Sequence, residues 1–149
     1  MSPKEIAQKA SQAMYDADVA SKSLGITIDE IGPGYAKLSM PVRDDMLNGL
    51  KICHGGIMFT LADSTFAFAC NSYNQSTVAA SCEISFLEAV PGGSVLTAIA
   101  EEKHKRGRSG IYDVTVVDQD GRTVALFRGK SRTVKGEVVP GLTSEEESK

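Results

Sequence analysis

His54-Gly-Gly-Ile-Met-Phe-Thr-Leu-Ala-Asp-Ser-Thr-Phe-Ala-Phe-Ala-Cys-Asn71 places apolar side chains at every angle of a helical projection from Ile57 to Cys70. A helix without a polar face is buried all round, so the rest of the chain has to wrap it. Asp63 is the only Asp, Glu, Lys or Arg between Lys51 and Glu83. An ionised group taken out of water costs several kcal/mol unless it finds partners, and no cation lies within a helical turn of Asp63. Something non-local must justify it.

Upstream, Asn48-Gly49 and His54-Gly55-Gly56 bring a side-chain amide, an imidazole and two unshielded backbone N–H groups to the start of the same helix. Helix starts offer unpaired donors and about half a positive charge, and so stabilise an oxyanion that exists only in a transition state. Gly55 and Asp63 are eight residues apart, roughly 12 Å along one helix. A reacting carbon has to lie about 3 Å from both the acid and the oxyanion donors. One helix cannot do both. Two antiparallel copies can, each Asp63 facing the other copy's Gly55, which predicts a two-fold dimer with two shared sites.

The run Asn48-Gly-x-x-x-x-His54-Gly-Gly-x-x-x-x-Leu61-Ala-Asp63 resembles the hotdog-fold acyl-CoA thioesterases, most closely the PaaI type of phenylacetate degradation. Met14-Tyr15-Asp16, Phe86-Leu87, Ser109-Gly110-Ile111-Tyr112-Asp113 and Ala125-Leu126-Phe127-Arg128-Gly129-Lys130-Ser131 carry the likeness along nearly the whole chain except its last dozen residues. The resemblance implies an α+β hotdog, an antiparallel sheet wrapped around one long central helix. It also implies thioester hydrolysis without metal or redox cofactor, coenzyme A being part of the substrate, and a homodimer that often pairs into a tetramer.

Composition sets the outer limits. A chain of 149 residues with 42% hydrophobic and 23% charged content suits one soluble domain. A net charge of −3 argues against nucleic acid as the main partner. No apolar run is long enough for a membrane span and Met1 to Ala10 lacks a signal-like core, so a cytoplasmic location is expected. Cys53, Cys70 and Cys82 show neither metal spacing nor a disulfide framework and read as reduced, mostly buried thiols.

The expected order is a helix over Lys4–Leu24 and strands over Ile26–Ile31 and Tyr35–Val42 joined by Gly32-Pro33-Gly34. The buried helix follows, then strands over Thr77–Ala89, Ser94–Lys105, Gly110–Asp118 and Arg122–Lys135, with Asp120-Gly121 as a tight turn. In the strand after the helix, alternation puts Val78, Ala80, Cys82, Ile84 and Phe86 on one face. Residues 1–136 form one domain with 1–24 its amino-terminal helix; the polar tail, 137–149, is expected to be disordered.

In chemical terms, the Gly55 N–H meets the thioester oxygen and Asp63 of the other subunit acts as general base or as nucleophile, an alternative the sequence leaves open. By resemblance, Asn48 aligns the water or the carboxylate, and His54 shapes the loop and polarises the carbonyl; Gly56 belongs to the substrate site. Phe59, Phe66, Tyr73 and Met46 are candidate acyl-pocket walls, although aromatics beside a central helix more often form plain core. Lys103, Lys105, Arg106 and Arg108 cluster at one strand turn, and Arg128, Lys130 and Arg132 alternate on a neighbouring strand. Lys105, Arg106, Arg108 and Arg128 are the candidates for the phosphates of coenzyme A. The substrate implied is phenylacetyl-CoA or a ring-hydroxylated relative. The competing readings are a non-catalytic acyl-CoA-binding or sensing module on the same fold, and a hotdog hydratase, which the His-Gly-Gly placement fits poorly.

Overall fold

The computed structural model describes residues 1–142. Helix α1 (Pro3–Ala17) and a single turn α2 (Val19–Ser23) precede a hairpin of β1 (Thr27–Gly32) and β2 (Tyr35–Pro41). The central helix α3 (Gly55–Cys70) follows, and then β3 (Gln75–Phe86), β4 (Val95–Arg106), β5 (Ser109–Val117) and β6 (Thr123–Glu137). The strands form one antiparallel sheet in the order β1-β2-β4-β5-β6-β3, and α3 packs against its inner face. This is the α+β arrangement expected, a sheet curled around one apolar helix.

The first helix is shorter than the sequence suggests. Ser2 caps α1 by accepting from the Glu5 N–H at 3.2 Å, with Pro3 in the first turn. Asp18 then interrupts the run: its carboxylate accepts from Ser21 N–H at 2.9 Å and Ser21 Oγ–H at 2.6 Å, starting α2 afresh. A side chain able to cap a new helix competes with continuation of the old one. The tail also differs from expectation in its described part. Asn74 ties it down, donating to the Val139 and Leu142 carbonyls and accepting from the Val139 N–H. Residues 143–149 lie outside the described residues.

The most consequential difference is in β3. The strand pairs regularly with β6 from Ser81 to Phe86, but its register shifts between Ala79 and Ser81. Ala80 is therefore the extra residue of a bulge, and the side chains from Thr77 to Ala79 change face. Val78, expected inside, pairs with the outward Arg132 and stands 51% exposed. Period-two alternation cannot reveal a bulge, because the inserted residue is visible only against the partner strand.

Where α3 crosses β6 the strand has no room for a side chain. A Cβ at Gly129 would lie 2.7–2.8 Å from atoms of the Phe66 ring, and that ring is held between Tyr112 and Phe127 at centroid distances of 5.6 and 5.8 Å. Gly129→Ala should therefore destabilise the fold by about 1–3 kcal/mol, read as a lowered urea midpoint; Phe66→Leu in the same chain should recover most of it.

Candidate active site

His54 is the amino cap of α3, and its groups take up nearly all of the first turn's donors. Its Nδ1 accepts the Gly56 N–H at 2.9 Å, and its carbonyl oxygen accepts those of Ile57 and Met58 at 3.0 and 3.1 Å. The Gly55 N–H is left as the one donor of that turn without an acceptor among the described residues. Gly56, expected to share in holding substrate, has its N–H committed to the cap, because the imidazole folds back onto it. With Nδ1 accepting, the neutral ring carries its proton on Nε2. The Phe86 ring lies over Gly55, 3.1–3.6 Å from where a Cβ would stand.

Asn48 serves its own turn first. Its Oδ1 accepts from Leu50 and Ile52 N–H at 2.9 and 3.3 Å, while Lys51 takes a left-handed φ of 61°. The amide nitrogen remains without a partner among the described residues, so any action on substrate falls to Nδ2.

Asp63 projects from α3 half-buried. No ion pair reaches it among the described residues, and its side-chain contact is the Cys82 thiol, whose Sγ lies 3.9 Å from Oδ1. Burial pushes its carboxyl above the ordinary aspartate range, the thiol offsetting part of the rise. Nothing in the sequence marks Cys82 as part of a site, since 19 residues and a different element separate it from Asp63.

The aromatic candidates divide. Phe59 is half-buried and meets Phe127 edge-on at 5.6 Å, so it can form a wall. Phe66 and Met46 are 1% and 2% exposed and belong to the core rather than to a pocket. Tyr73 donates to Glu102 Oε1 at 2.9 Å, as Tyr112 does at 3.0 Å, and burial with that carboxylate pushes the Tyr73 phenol up to about 12.

The basic residues do not form one patch. A register shift between Glu102 and His104 pairs Lys105 with the buried Gly110 on the inner face, where its ammonium lies 4.9 Å from the Tyr73 ring centroid. Arg106 pairs with Ser109 and Arg108 occupies the turn, both exposed. Arg128 is on the outer face, its Nε and Nη2 bonded to the two Asp113 oxygens at 2.6 and 2.9 Å. That pairing holds the Asp113 carboxyl below its usual range and removes Arg128 from the inner side, because register sets it directly across from Asp113. The β4–β5 turn sits at the carboxyl end of α3, where Gly34 N–H donates to Ser72 Oγ and Tyr73 to Glu102. Gly55 is at the other end, roughly 22 Å away.

The open helix start and the unpaired carboxylate both lie in a stretch of the chain that matches a known family. Residues 50–125 match the profile of the thioesterase superfamily, and the chain is 45% identical over 128 residues to the acyl-coenzyme A thioesterase PaaI of Escherichia coli K12, covering 86% of this chain and 91% of that one. The chain belongs to the thioesterase superfamily. Its hotdog fold is that of the E. coli PaaI protein from the phenylacetic acid degradation operon, to which it is similar with a TM-score of 0.90 and 44% identity over 91% of this chain and 99% of that one. The TT0310 protein of Thermus thermophilus gives 0.76 and 35% over 78% and 98%. A putative esterase of Archaeoglobus fulgidus is 32% identical, over 91% of this chain and 88% of its own. In this thioesterase no described helix is long and apolar enough to cross a membrane.

Proposed function

We propose that this thioesterase hydrolyses acyl-CoA thioesters, with phenylacetyl-CoA or its ring-hydroxylated relatives as substrate, in a dimer whose two sites are shared between subunits. The observation that carries it is the open Gly55 N–H at one end of a helix whose unpaired carboxylate lies too far along to serve the same carbon. The thioester oxygen takes the Gly55 hydrogen bond of one subunit while Asp63 of the other acts. As general base, Asp63 takes a proton from water as its oxygen adds to the carbonyl carbon; as nucleophile, it forms an anhydride that water then opens. In either case the C–S bond breaks, the sulfur leaves and is protonated to the free thiol, and the oxyanion charge rests on a preorganised donor. The phenylacetyl preference is supported by likeness to a protein of the phenylacetic acid degradation operon.

The dimer has a surface ready for it. Strand β3 is a 12-residue sheet edge; Val78 and Phe86 along it and Leu87 just beyond it are 51%, 52% and 48% exposed. The opposite edge, β1, is packed by α1. A long open edge is a template for pairing, and joining two β3 strands antiparallel sets the two α3 helices antiparallel as well. The same operation carries the Lys105, Arg106 and Arg108 turn of one subunit toward the Gly55 end of the other. Half-exposed Leu126 and Val95 on the outer sheet face offer ground for pairing two dimers into a tetramer, and three free thiols suit a reducing cytoplasm.

Purified protein should release thiol from phenylacetyl-CoA faster than from straight-chain acyl-CoA esters, read with a thiol reagent. Tight binding without turnover would favour the sensing module instead. Replacing Lys105, Arg106 and Arg108 together by alanine should raise KM about five- to tenfold at low ionic strength with kcat kept, and the difference should shrink as salt is added.

A further inference from the structure

Asp63 draws its side-chain contact from a strand rather than from its own helix. Cys82 lies on the inner face of β3 opposite Gly129, on the regularly paired stretch beyond the bulge, so its position is fixed by the ladder. Cys70 is the other group coupled to this carboxylate, and the remaining titratable groups packed on α3 are few. Cys70 follows on α3 with its thiol pushed up to about 12 by burial. Asp18, at the head of α2, is bonded to Ser21, whose hydroxyl lies 3.4 Å from that of Ser64. Glu102, Tyr73 and Tyr112 gather at the far end of the helix.

A thiol is a weak donor. It restrains a carboxylate oxygen while lowering its basicity less than a cation or a hydroxyl would. We propose that Cys82 is a positioning residue for thioester hydrolysis: its thiol holds Oδ1 of Asp63 and leaves Oδ2 to meet the water or the carbonyl carbon. The inference rests on the function proposed above and adds a residue to it. Cys82 does not touch substrate; it acts through Asp63. The strand that forms the open sheet edge is thereby the strand that orients the acid, so pairing of β3 and alignment of Asp63 are coupled through one side chain.

The test compares Cys82→Ala, Cys82→Ser and Asp63→Asn in steady-state hydrolysis of phenylacetyl-CoA across pH, with thermal unfolding recorded for each. Cys82→Ala should lower kcat about threefold, as expected for loss of one weak hydrogen bond, leave KM within about twofold, and move the acid limb of the pH profile to higher pH. Cys82→Ser should recover most of kcat and return the limb to the wild-type position or below. A wild-type rate and profile in Cys82→Ala overturns the inference, and so does a loss in both variants with the limb unmoved, which is the signature of packing alone. Full activity in Asp63→Asn would instead overturn the proposed function itself.

Discussion

Asp63→Ala and Asp63→Asn should each lower kcat by about 10²–10⁴-fold while leaving KM for the thioester little changed, the range expected for loss of a positioned general base or carboxylate nucleophile. The split follows from where the group acts. In the function proposed above, binding of the acyl-CoA is assigned to the Phe59 wall and the basic turn, whereas the carboxylate is needed only as the carbonyl carbon changes geometry. Folding should respond in the opposite sense. Burial holds the Asp63 carboxyl above its unfolded value, so between the two values the folded state binds more protons than the unfolded one and stability falls as pH rises through that window. At neutral pH the ionised form is a liability to the fold, and Asp63→Asn should melt higher than wild type there, the gap closing in acid. A scan of melting temperature against pH for both proteins checks this. A variant that lost activity and melted lower at pH 7 would contradict the account of Asp63 as a strained, functional acid.

The second large effect is recovery of activity from two inactive chains. Gly55→Val presses a side chain into the Phe86 ring, which already lies 3.1 Å from the Cβ position, and so closes off the open N–H. Asp63→Asn removes the acid. Each variant alone, in the dimer proposed above, should be nearly inactive. After dissociation and random reassociation about half of the dimers are mixed, and each has one intact site of two, so about a quarter of wild-type activity should return. No recovery, with mixed dimers verified by native mass spectrometry, would mean that each chain supplies Gly55 and Asp63 to the same site. Given the roughly 12 Å between them along α3, that outcome would also remove the proposed chemistry.

Legibility in the sequence varied with how local each feature is. The alternation of Ala36, Leu38, Met40 and Val42 reproduces its burial because the strand period depends on near neighbours alone, whereas the helix expected to be buried all round keeps one half-buried face, with Ile57, Phe59, Asp63 and Ala67 on it, because the sheet of one chain covers only its other side. His54 could be read as a loop residue or a participant; the geometry makes it the cap and so singles out Gly55. Arg128 read as a free cation, yet its partner Asp113 is 15 residues away and meets it only through the β5–β6 register.

The sequence by itself determined the apolar rod, the sheet packed on it and the isolation of Asp63, since the cost of burying an unpaired acid follows from its immediate neighbours. Tertiary structure alone decided that the His54 imidazole takes the Gly56 N–H, that a bulge at Ala80 turns Val78 outward, and that Cys82 reaches Asp63. Those depend on strand register and helix placement, which are set by contacts among residues far apart in the chain.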